Sequence, residues 1–151
     1  MTLTRKRIIA DLAAHFIITC FLTALVYIST RSISYAAAVI LGGIFIDLDH
    51  LIDYFLYFGS IFKLEKFVDG DALASGHVYL FLHSWELAFI ILLAGLIIPS
   101  GILLALFLGM SAHLTVDSIQ RENPYTTYFL IYRISKGFKV DAIMPQHHGY
   151  R

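Results

Sequence analysis

Thiols, prolines and charged side chains are all scarce in this sequence. One cysteine, Cys20, in 151 residues excludes an internal disulfide, and the lack of further thiolates argues against a soft, sulfur-rich metal site. Charged residues make up only 15%, eleven of each sign, so the formal net charge is zero and no basic stripe offers an electrostatic footprint for nucleic acid. No lysine or arginine lies inside any long apolar run, and His-Glu-x-x-His does not occur, which disfavours a zincin-type membrane protease.

What is abundant is apolar surface. Hydrophobic residues reach 58% and are gathered into runs at 8–28, 36–58, 78–98 and 100–119, each near the roughly 20 residues that cross a hydrocarbon core. Arg5-Lys6-Arg7 ahead of the first run looks like the start of a signal peptide, but the length of that run and the presence of Asp11 and His15 in it favour a retained helix. Pro99-Ser100-Gly101 makes a tight turn between the third and fourth runs, and 59–77 is the only substantial loop.

The pattern predicts an all-α integral membrane bundle of four transmembrane helices over 1–120, followed by a C-terminal segment, 121–151. There Tyr125, Tyr128, Phe129 and Tyr132 recur at helical spacing beside Arg133 and Lys136, as in an interfacial amphipathic helix with its aromatic face down or a helix packed on the loop. With four spans, Arg5, Lys6, Arg7, Lys63, Lys66, Arg121, Arg133, Lys136, Lys139 and Arg151 share one side and Arg31 stands alone on the other. The positive-inside rule then puts both termini in the cytoplasm.

Ionisable groups within apolar runs are costly and so point to function. The second run carries Asp47-Leu48-Asp49-His50 and Asp53; Asp47 and His50 share one helical face, Asp49 and Asp53 another. Three uncompensated carboxylates this close repel one another and take up protons, and a cation removes that conflict. In the fourth run His113 and Asp117 stand at i and i+4, a spacing that lets both hold one ion. Asp11 and His15 repeat that spacing in the first run, with Asp11 suited to orienting the imidazole. His83, Ser84 and Glu86 open the third run, where Glu86 is either a further ligand or a general base.

Counted at about 1.5 Å per residue from the cytoplasmic ends, His15, His50 and His113 lie at roughly 10 to 12 Å depth and His83 at roughly 8 Å, the agreement a shared site requires. Small residues at Ala13, Ala14, Gly42, Gly43, Gly109, Ser111 and Ala112 permit the close helix approach such a site needs. A mixture of histidine and aspartate suits zinc first, then manganese or iron. His77 stands where the loop meets the membrane, and the His147-His148 pair lies on the same side near the C-terminus.

This order of motifs, a histidine in the first run, Asp47-Leu48-Asp49-His50, His77 followed by His83-Ser84, and His113-x-x-x-Asp117, resembles the LexA-regulated inner-membrane family of metal-dependent hydrolases. The resemblance extends from His15 to Asp117. It implies His15, Asp47, Asp49, His50, His83, His113 and Asp117 as metal-site residues. The chain departs from the family in the third motif: relatives show a compact His-Arg-Gly-x-Thr-His-Ser, while His77 and His83 here are one residue further apart and lack the arginine. A looser likeness, through His-x-x-x-Asp on helices, runs to zinc-dependent phospholipase C and the single-strand-specific zinc nucleases.

The expected function is a membrane-embedded hydrolase of a lipid or lipid-like phosphoester, with a metal-activated water and Asp49 or Glu86 taking its proton. Transport or sensing of a divalent cation, or a proton pathway, is the alternative the same ligands allow, and a structural metal is a third.

Overall fold

A computed structural model describes residues 3–63, 67, 75–120 and 125–144, and all the regular elements in them are helical. The first helix, α1 (Leu3–Thr30), presents His15, Thr19, Leu22 and Val26 to the bundle at spacings of four and three, while Phe16, Ile17, Phe21 and Ile28 face outward. It stops at Arg31, whose φ of 56° turns the chain; Ser32 then caps α2 (Ile33–Gly43) by accepting from the Tyr35 amide.

Helix α2 lies against the long last helix of the bundle, α5 (Gly101–Gln120), at backbone contact. A Cβ on Gly42 would strike the Leu106 carbonyl, and one on Gly109 the Val39 carbonyl. Gly43 leaves room in the same way for the Thr19 side chain of α1. Glycines at these crossings let three helix axes close to a distance that larger side chains would forbid.

The run 36–58 is a bent pair where one straight helix was expected. After Gly43 a 3-10 turn (Phe45–Asp47) leads into α3 (Leu48–Phe58), and the axes differ by 41°. The run 78–98 also departs from expectation, because its helix, α4 (Trp85–Ile97), begins only at residue 85, capped by Ser84. Residues 78–83 are not helical because their backbone groups are taken by side chains from elsewhere. Asp53 accepts from the Tyr79 amide at 2.9 Å, and one oxygen of Asp49 accepts from the amides of Leu82 at 2.8 Å and His83 at 3.2 Å. Arg133 donates to the carbonyls of Tyr79, Leu80 and His83. Irregular backbone at membrane depth is tolerated where protein satisfies it in this way.

By length and apolarity α1 (over Ala10–Thr30) and α5 (over Gly101–Ile119) can each cross a membrane, and the bent α2–α3 pair makes a third candidate; α4 is shorter.

The C-terminal part folds back over this segment. A 3-10 turn (Tyr125–Tyr128), α6 (Leu130–Ser135) and α7 (Val140–Ile143) follow one another, and Val78, Leu80, Val140, Ile143 and Met144 form a small core between the two stretches. The expected continuous aromatic face is therefore split: Tyr125 is 72% exposed, whereas Tyr128 is buried and Arg133 points inward at 1% exposure. The C-terminal part packs on residues 76–83, that is, the last residues of the expected loop and the start of the expected third span.

Candidate metal centre

Three imidazoles from three elements are each anchored through one nitrogen. His15 Nδ1 donates to the Asp11 carbonyl one turn earlier, at 2.9 Å. His113 Nδ1 donates to the Gly43 carbonyl at 2.9 Å, one of the last carbonyls of α2, which the break after Gly43 leaves outside the helical ladder. His83 Nδ1 lies 2.9 Å from Asp49 Oδ1. Carbonyl and carboxylate oxygens only accept, so these partners place a proton on Nδ1 in all three rings and turn Nε2 inward, the nitrogen that a neutral imidazole so anchored offers to a metal.

The Nε2 atoms meet carboxylates and one another. His83 Nε2 is 3.2 Å from His113 Nε2, and Asp47 Oδ1 is 3.2 Å from the first and 3.4 Å from the second. Asp117 Oδ2 lies 3.6 Å from His113 Nε2 and 3.7 Å from His83 Nε2, while its Oδ1 is 3.2 Å from His15 Nε2. His50 stands at the rim, its Nε2 3.8 Å from Asp47 Oδ1. All of these except Asp47 and His50 are buried.

Two imidazole nitrogens without protons have no attraction for each other, and buried carboxylates need a compensating positive charge. Lysine and arginine are absent from α2 through α5. Ligands held at about 2.0–2.1 Å by a tetrahedral ion stand about 3.3 Å apart along each edge, and the separations of 3.2 to 3.8 Å match such edges. The donors fall into two groups that can each hold an ion: His15, His113 and Asp117, and Asp47, His50 and His83.

Of the residues singled out from sequence, His15, Asp47, His50, His83, His113 and Asp117 converge here. Asp49 sits one layer back. Buried and bonded to His83 Nδ1 and two amides, it orients a ligand instead of facing the centre. Glu86 lies elsewhere: its oxygens accept from the Ser84 hydroxyl at 2.9 Å and from the amides of Leu130 at 2.9 Å and Ile131 at 3.0 Å, which ties α4 to the start of α6. His77 is also apart, exposed, bridged to Lys139 through the backbone and stacked on Tyr79. His147 and His148 lie outside the described residues.

Arg133 is the supporting residue that sequence reasoning missed. Its three carbonyl contacts hold the 79–83 segment from which His83 projects. Burial pushes its pKa below the usual guanidinium range, and the charges of Asp49, Glu86 and Asp53 act in the opposite sense. No local pattern announced this, since Arg133 stands beside Ile134 and Lys136 in what reads as a surface helix.

No family model, curated protein or solved structure matches the chain.

Proposed function

We propose that this protein is a metal-dependent hydrolase embedded in the inner membrane, acting on a phosphoester of a lipid or lipid-like substrate. The observation that carries the metal reading is the pair of ring nitrogens, His83 Nε2 and His113 Nε2, held 3.2 Å apart with Asp47 Oδ1 within 3.4 Å of both. Bound zinc, with manganese or iron as alternatives, supplies a water acidified for attack and a charge that offsets the negative phosphoryl oxygens. The chain's own part is to fix the imidazoles through Asp11, Gly43 and Asp49 and to leave one side open. With side chains 33% and 31% exposed, Asp47 and His50 mark the face that water and a head group approach.

In this reading α1, the bent α2–α3 pair, α4 and α5 make four passages, with both termini cytoplasmic. The clustering of Arg133, Lys136 and Lys139 opposite Arg31 supports that orientation. The motif order from His15 to Asp117 supports membership of the LexA-regulated inner-membrane hydrolase family. A conduit for ions is disfavoured by the packing beyond the centre, where Ala38, Val39 and Ala105 are buried against Leu22, Val26 and Leu106.

The test is elemental analysis of purified protein in lipid nanodiscs beside His113→Ala and Asp117→Ala variants, followed by turnover of a panel of lipid phosphoesters. Stoichiometric metal in the wild type, lost in both variants together with turnover, is the expected result. Metal-free wild type ends the hydrolase reading. Metal without turnover of any phosphoester, joined to cation flux that the variants abolish, replaces it with transport.

A further inference from the structure

Resting on the metal reading above, we infer that the cluster is built for two divalent cations sharing bridging carboxylates. Its donors outnumber what one ion takes. Four histidines offer one Nε2 each and Asp47 and Asp117 two oxygens each, against four ligands for a tetrahedral ion and six for an octahedral one.

The arrangement of these donors is also double. The ligand atoms of His15, His113 and Asp117 all lie within 4.8 Å of one another, and so do those of Asp47, His50 and His83. Both aspartates straddle the two sets. Asp47 Oδ1 is 3.2 Å from His83 Nε2 in its own set and 3.4 Å from His113 Nε2 in the other. Asp117 directs Oδ1 at His15 Nε2, 3.2 Å away, and Oδ2 at His113 and His83, at 3.6 and 3.7 Å. A carboxylate with each oxygen turned to a different imidazole is disposed as a bridge between two ions about 3.5–4 Å apart.

His15 is the independent pointer to the second position. It is 6% exposed, its Nδ1 is already satisfied by the Asp11 carbonyl, and its Nε2 is aimed into the cluster, 3.2 Å from Asp117 Oδ1. Asp47, His50 and His83 make up one three-ligand set, and His15 is the histidine that, with His113 and Asp117, makes up the other. A second cation takes that other set. Two cations at this spacing could span two non-bridging oxygens of one phosphoryl group, which phosphate monoesters and diesters offer and triesters do not.

The full-length protein in nanodiscs, loaded with Mn2+, is examined by elemental analysis and electron paramagnetic resonance. Two ions per chain with a spin-coupled multiline spectrum are expected, falling in His15→Ala and His15→Gln to about one ion with an uncoupled six-line spectrum. One uncoupled ion per wild-type chain overturns the two-ion inference while leaving the metal reading intact. Two uncoupled ions overturn it too, since the second then sits away from the shared carboxylates. No bound Mn2+ at all, with none of zinc or iron in the protein as isolated, overturns the metal reading itself. The wild-type measurement decides among these outcomes even if the His15 variants do not fold.

Discussion

Two regions of the molecule deliver histidines to the same point by different means. In the seam between α1, α2 and α5, His15 and His113 project from regular helices whose backbones satisfy themselves, and glycines bring the helices together. At residues 78–84, His83 projects from backbone with no repeating pattern, kept in shape by Asp49 and Asp53 from one side and Arg133 from the other. The seam depends on the absence of side chains at Gly42, Gly43 and Gly109. The loop depends on the presence of three charged ones. A bundle can thus tolerate irregular chain beside a polar centre where charged side chains satisfy its backbone groups.

This contrast is best broken at Arg133. Arg133→Ala strands the carbonyls of Tyr79, Leu80 and His83, and the expected cost is about 3–5 kcal/mol of stability, since charge-assisted hydrogen bonds contribute most when buried. Chemical denaturation in detergent would read this, and metal titration should show affinity falling with it. Arg133→Lys, which keeps the charge but not the planar fork, should recover stability only in part. Unchanged metal affinity in Arg133→Ala would mean that the loop holds His83 without it.

The seam should yield less. Gly109→Ala places a methyl group against the Val39 carbonyl, and a loss of about 1–3 kcal/mol is expected from the forced separation of α2 and α5, with a matching fall in metal affinity because Gly43 O and His113 Nδ1 move apart. Thermal unfolding of that variant beside the wild type provides the check. The smallest effect belongs to Glu86→Gln, which keeps an acceptor for one of the Leu130 and Ile131 amides and turns an NH2 donor toward the other. A cost of about 1 kcal/mol with metal affinity unchanged is expected there. A large drop in metal content in that variant would restore Glu86 to the centre.

How far the site could be read from sequence follows the same division. His113 and Asp117 are legible because the period of a regular helix places i and i+4 on one side, and their 3.6 Å separation follows from it. Asp47-Leu48-Asp49-His50 is legible as a cluster, yet the roles within it are not. The bend after Gly43 and the 3-10 turn send Asp47 toward the imidazoles and Asp49 toward the loop, where a straight helix would have spread them differently. Glu86 misleads for a related reason: one turn from His83 in a helix that does not include His83, it faces α6 instead.

That the chain is helical and strongly apolar, and which of its rare polar residues stand at helical intervals, can be read along the chain, because side-chain periodicity and hydropathy are local properties. That Arg133 reaches back fifty residues to brace His83, that Asp49 holds the His83 ring while Asp47 faces the centre, and where the apolar runs break are settled by packing between distant segments. Those outcomes depend on which distant groups satisfy a given amide or carbonyl, and no spacing within a single segment encodes that choice.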